Sequence, residues 1–241
     1  MKNSILKTSI LAMSLVVVFI ACEKSEEVFT KESIEFTNEE IQSETDTHDH
    51  VVSNKEVKVG SVLHMRFDKN LSEEEAELTW NSAVKDYLIK NPNLSKGVST
   101  EAYYQVVTKT GSQVTNGTDA LVQASADFNH SGGSFHTDYI TLNNPGDDRE
   151  EGQKDFYLIR IYFPNITISW IEVEHAHIRL QGTDGWVVSS FKTKLLPEHQ
   201  TVPATGVSKV VTYPEIWLTN ANAGDWDYYY TGVIGTGRLN F

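Results

Sequence analysis

The sequence predicts a mainly β protein, an antiparallel β-sandwich preceded by one amphipathic helix. Three observations carry that expectation. After Thr100 the chain breaks into short runs of β-formers, such as Tyr103-Tyr104-Gln105-Val106-Val107 and Phe156-Tyr157-Leu158-Ile159-Arg160-Ile161-Tyr162, separated by Gly, Asn, Asp and Ser clusters. Only residues 72–90 repeat their apolar side chains convincingly at helical spacing. The 241 residues include a single cysteine, so there is chain enough for a core but no intrachain disulfide framework to replace one.

The elements follow in order. Gly60-Ser61 opens a period-2 segment in which Leu63, Met65 and Phe67 point one way and Val62, His64 and Arg66 the other. Ser72-Glu73-Glu74-Glu75 is a capping box, with Leu71 placed as a hydrophobic staple. Ala76, Trp80, Ala83, Val84, Tyr87 and Leu88 then form an apolar stripe, and Asn91-Pro92 stops the helix. The stripe either packs on the body of the protein or docks a partner. Further strands are expected at 120–124, 168–173, 176–180, 186–194 and 207–213. The apolar face changes side near Glu174-His175, which calls for a bulge or turn there. In the last segment, 219–241, Asp225-Trp226-Asp227-Tyr228-Tyr229-Tyr230 reads as a closing hairpin or as an exposed strip of the kind that stacks on sugars.

The N-terminus reads as an address. A short positive stretch is followed by an apolar run from residue 10 to residue 20, too short to span a bilayer at ~20 residues. The run ends at Ile20-Ala21-Cys22. Residues 1–21 with Cys22 resemble a bacterial lipoprotein signal, in which the cysteine is acylated and becomes the new N-terminus; the other reading is a buried cysteine in an uncleaved anchor. Several acyl chains at ~0.8 kcal/mol per buried CH₂ would hold the protein in a membrane durably. Glu23-Lys24-Ser25-Glu26-Glu27 resembles the acidic export tag of Bacteroidota-type lipoproteins, which implies display on the outer membrane surface. Residues 22–60 carry 11 acidic residues against four lysines and lack Tyr and Trp, the composition of a solvated tether. Within it, His48-Asp49-His50 is either a solvated pair of histidines or a metal catch. The whole chain has a net charge of −13, which argues against a nucleic-acid partner.

Three segments in order carry a second resemblance: Gly117-Thr118-Asp119-Ala120, then Leu142-Asn143-Asn144-Pro145-Gly146-Asp147-Asp148 with Glu150, Gly152, Asp155 and Phe156, then Gly182-Thr183-Asp184-Gly185-Trp186. Over residues 101–218 the chain resembles a PLAT domain, named for polycystin, lipoxygenase and alpha-toxin, an eight-stranded β-sandwich that binds lipid surfaces or proteins. Arg149 stands where the family usually has an aromatic residue, a change expected to loosen the local core. The connection at 164–173 looks longer than usual, as a custom binding loop would be. The resemblance implies Ca²⁺ held by Gly117, Thr118, Asp119, Asn144, Gly146, Asp147 and Asp148, with Asp184 serving a second cluster. Glycines beside Asp and Asn do bring carbonyl and carboxylate oxygens into one space, as Ca²⁺ requires. The alternative is that Asp119, Asp147 and Asp148 cap turns.

Other chemistry is sparse. His175-x-His177 on a strand places two imidazoles on one face, either a solvent-facing pair or a metal or haem contact. Neither a Gly-x-Ser-x-Gly elbow nor a His-Glu-x-x-His motif occurs. The leading expectation is a non-catalytic surface lipoprotein. It is held by membrane lipid through acylated Cys22 and docks a lipid surface or an envelope or host protein through its sandwich, with calcium. Alternatively the chain is an accessory subunit or toxin-like effector working with a lipase or glycan-degrading enzyme, with the helix as docking surface. A third option is an enzyme built around His175, His177 and the carboxylates at 147–151.

Overall fold

The computed structural model describes residues 57–92, 99–142, 149–197, 205–206, 211–212, 215–232 and 238–241. The expected signal, export tag and most of the tether, with Cys22 and His48-Asp49-His50, lie outside them. Among the described residues no helix is long and apolar enough to cross a membrane.

The chain order is β1 (Lys58–Phe67), α1 (Glu73–Lys90), β2 (Thr100–Thr110), β3 (Leu121–His130), β4 (Gly133–His136), β5 (Ile140–Thr141), β6 (Lys154–Phe163), β7 (Trp170–Gln181), β8 (Trp186–Leu195), β9 (Thr205–Gly206), β10 (Val211–Thr212), β11 (Ile216–Leu218), β12 (Trp226–Tyr230) and β13 (Leu239–Asn240). Two antiparallel sheets result. The first runs β1-β6-β2-β8-β10, with β11 also on β8. The second runs β4-β3-β7-β13-β9, with β12 on β7 and β5 on β3. This is the mainly β sandwich with one helix that the alternating sequence called for.

The inner faces share one core. Tyr104, Tyr157, Ile159, Trp186 and Phe191 of the first sheet meet Val122, Phe128, Ile171, Ile178 and Leu180 of the second. On the outer face of the first sheet a second cluster forms, where Tyr103, Val107, Phe156 and Leu158 receive Ala76, Trp80 and Val84 of the helix. The capping box forms as read: the Glu75 amide donates to Ser72 Oγ at 3.2 Å, and the Ser72 amide donates to Glu75 Oε2 at 3.2 Å. Trp80 is buried, and its Nε1–H donates to Gln105 Oε1 at 3.0 Å. The stripe is thus consumed by packing; burying each such side chain is worth ~1.5–3 kcal/mol.

Several boundaries differ from the sequence reading. β1 starts at Lys58, inside the stretch assigned to the tether. The segments 168–173 and 176–180 form one strand, β7, and its register against β3 slips between the pairs Asp127↔His175 and Phe128↔Val173. That bulge at Glu174 is where the apolar phase changes, and it lets Ile171, Val173, Ala176, Ile178 and Leu180 all face inward. β4 and β5 were not expected. Of the strand expected at 207–213 only Val211–Thr212 is described. Among the described residues of the aromatic segment, β12 pairs with β7, and Leu239 of β13 is buried between β7 and β9.

Candidate functional site

One candidate site lies at the loops. Thr118 and Arg149 form an isolated antiparallel bridge, each amide donating to the other's carbonyl at 3.1 Å. Gly117 is required there, since a Cβ would lie 2.4 Å from the Arg149 carbonyl oxygen. Asp184 clasps the same segment from the β7–β8 turn. Its carbonyl accepts from Thr118 Oγ1 at 3.2 Å, and its Oδ2 accepts from the Asp119 amide at 2.8 Å. Gly117, Thr118, Asp119 and Asp184 are therefore brought together. Asn144, Gly146, Asp147 and Asp148 lie outside the described residues; the segment that holds them ends at Arg149. The side-chain donors described here are all oxygens, the donor set of hard cations such as Ca²⁺, Mg²⁺ or Mn²⁺.

Arg149 does not loosen the core. It is buried, its Nη2 donates to the Leu142 carbonyl at 2.6 Å and to the Tyr157 hydroxyl at 3.2 Å, and its guanidinium lies 5.3 Å from the Trp186 ring. A planar cation thus fills the place expected of an aromatic. The connection at 164–169 is pinned at both ends: the Asn165 amide donates to Ser99 Oγ and the Ile168 amide to Thr100 Oγ1, and Ile168 is buried.

The second candidate site is the outer face of the second sheet. His175 and His177 of β7 do share that face, and both converge on Asp127 of β3. The His177 Nε2–H donates to Asp127 Oδ2 at 3.1 Å, and His175 Nδ1 lies 3.2 Å from the same oxygen. His136 of β4 approaches from the other side, its Nδ1 2.5 Å from Asp127 Oδ1. Burial works to raise the Asp127 pKa, but the hydrogen bonds from His136 and His177 outweigh it and hold the carboxyl well below the usual carboxylate range. Tyr230 packs on both β7 imidazoles, at 5.0 and 4.7 Å between ring centres. Beyond it, the Arg179 guanidinium is sandwiched between Tyr139 at 3.5 Å and Trp226 at 3.8 Å. Tyr228 and Tyr230 are half exposed.

Asp127 and His136 were missed in the sequence. The signal lies in the turn: with His130 opposite Gly133 around Ser131-Gly132, Asp127 must stand opposite His136.

No protein-family model matches the sequence, and no curated protein matches it. Among solved structures the chain is similar to the alpha toxin from Clostridium absonum, at 18% identity over 65% of this chain and 38% of that one, with a TM-score of 0.36. For Clostridium perfringens alpha-toxin from an avian strain the identity is 15% over 72% of this chain and 44% of the other, with a TM-score of 0.30. A Delta413-417:GS lipoxygenase in complex with arachidonate is 20% identical over 55% of this chain and 16% of its own, at a TM-score of 0.34. The chain spans less than half the length of each.

Proposed function

We propose that this chain is a non-catalytic, lipid-anchored binding module of the outer membrane surface, which docks a lipid surface through its sandwich with calcium at the 117–119 and 143–148 loops. The observation that supports it is the asymmetry of the sandwich. The helix covers the back of one sheet, whereas the back of the other presents Trp226, Tyr228, Tyr230 and the ring-stacked Arg179. Rings with one apolar face and one polar handle suit the headgroup region of a membrane. Acylated Cys22 would bring that face to its target, through the acidic stretch that precedes Lys58.

The test is co-sedimentation of the soluble Cys22→Ser chain with anionic vesicles at millimolar Ca²⁺. Binding is expected to fall when Ca²⁺ is replaced by a chelator, and to fall separately in Tyr228→Ala and Tyr230→Ala. Calcium-independent binding would remove the ion from the reading, and no binding at all would remove the lipid. A second reading is favoured by the same exposed tyrosines: an accessory subunit to a glycan-degrading enzyme, stacking on sugars. Retention on a glycan array by a chain that ignores vesicles would select it. Docking through the helix has less to work with, since Trp80 and Val84 are buried and only Leu78 and Ile89 stand out as exposed apolar side chains.

A further inference from the structure

The geometry points to a transition-metal site on the outer face of the second sheet, a zinc site formed by Asp127, His136 and His177, independent of the calcium loops. Three strands each contribute one ligand. Asp127 on β3 stands directly opposite His136 on β4 across the hairpin, and diagonally from His177 on β7, which pairs with Ser125. One donor atom from each lies within 4.8 Å of the other two. Tetrahedral zinc with bonds of about 2.0–2.1 Å separates neighbouring ligand atoms by roughly 3.3 Å. The carboxylate-to-imidazole distances of 2.5 and 3.1 Å already approach that spacing. The two imidazoles reach different oxygens of one carboxylate, so an ion taking the place of the shared protons would be held by Asp127 and both rings.

The donor chemistry chooses the ion. Two imidazole nitrogens and one carboxylate oxygen suit Zn²⁺ and its neighbours, whereas Ca²⁺ and Mg²⁺ demand oxygens. The surroundings supply what metal sites need next. His175 places Nδ1 3.2 Å from Asp127 Oδ2, so it holds the carboxylate from behind, as outer hydrogen bonds do for ligating groups. Its Nε2 is buried with no hydrogen-bond partner, and its ring is set by Tyr230. Tyr139 flanks His136 and His177, at 6.2 and 6.4 Å between ring centres. His136 is 44% exposed, which leaves a fourth coordination position open to water. The ligands sit on sheet strands rather than on loops, so little ordering opposes binding.

The full chain, stripped with chelator and titrated with zinc chloride in a calorimeter, tests this. One equivalent is expected to bind with a dissociation constant in the micromolar range or tighter, unaffected by millimolar Ca²⁺. Cobalt in place of zinc is expected to give the visible absorption of a four-coordinate ion. His136→Ala and His177→Ala are each expected to weaken binding at least tenfold, while His64→Ala leaves it unchanged. Because His136 is exposed, its variant keeps the fold, and circular dichroism checks this. The proposal is overturned if no saturable binding occurs. It is equally overturned if binding survives the His136→Ala/His177→Ala double variant but disappears in His48→Ala/His50→Ala, which would place the ion in the N-terminal segment.

Discussion

Among the described residues the sheet of β1, β6, β2, β8 and β10 packs on the other sheet and, on its outer face, on the helix, whereas no element packs on the outer face of the sheet of β3, β4, β7 and β12. β2 shows the consequence of double cover: nearly all of its residues are buried, including Glu101, which needs Arg160 and the Tyr103 hydroxyl as partners. β7 shows the consequence of single cover: Ile171, Val173, Ala176, Ile178 and Leu180 point inward, while Glu174, His175, His177 and Arg179 on the other face are only partly buried. Gln105 and Glu101 on this sheet are held by internal hydrogen bonds and an ion pair, because burying such groups unpaired would cost several kcal/mol. On the open sheet the same residue types remain available to something outside the protein. One sheet holds the fold and the other presents chemistry.

That division makes predictions of decreasing size. The largest concerns alkali. Burial pushes the phenols of Tyr103, Tyr104 and Tyr157 well above their ordinary value, helped at Tyr103 by Glu101 and at Tyr157 by Asp155. All three lie on β2 and β6. The folded state keeps protons that the unfolded chain gives up above pH ~10, so this stability is intact below that pH and declines above it. The limiting slope for three groups is roughly 4 kcal/mol per pH unit. Urea midpoints measured from about pH 9 to about pH 11.5 should show the decline, together with phenolate absorbance that rises only on unfolding. Three phenols ionising freely in the folded protein would contradict double cover.

Trp80→Ala comes next. Removing the side chain that seals the outer cluster should cost about 3–5 kcal/mol and lower the melting temperature sharply. An unchanged melting curve would return the helix to the role of partner-docking surface. Ser72→Ala should cost about 1 kcal/mol by opening the cap of the same helix, read as a smaller shift of the same transition. Tyr228→Ala on the open sheet should alter stability by less than about 0.5 kcal/mol while weakening vesicle or glycan binding. A large loss of stability there would mean that the second sheet's outer face is structural after all.

The double cover was legible in the sequence because the helix announces itself. Ser72 and Glu75 mark its start, Trp80 and Val84 its buried side, and Asn91-Pro92 its end. The bulge in β7 was legible too, since its apolar residues fall in two phases that a regular strand cannot turn to one core. The candidate sites were only half legible. His175 and His177 share a face by alternation alone, but Asp127 enters through a pairing register set by the Ser131-Gly132 turn, and β4 is four residues with a single buried side chain. The closeness of Gly117–Asp119 to Asp184 is a tertiary fact that neither the pattern nor the resemblance anticipated. A buried Arg149 is not readable from pattern, because what makes it tolerable is the Leu142 carbonyl and the Tyr157 hydroxyl.

The path of the chain after β8 carries a consequence for how the protein is made. β9 belongs to the second sheet, β10 and β11 to the first, and β12 and β13 to the second again. The last of these puts Leu239 into the shared core beside Ile171. The first layer is therefore unfinished until residue 218 and the second until residue 239 has left the ribosome, and the long-range pairings that close them form slowly. A polypeptide assembled in that order stays loose through most of its synthesis. Late closure of this kind would suit a chain exported before it folds.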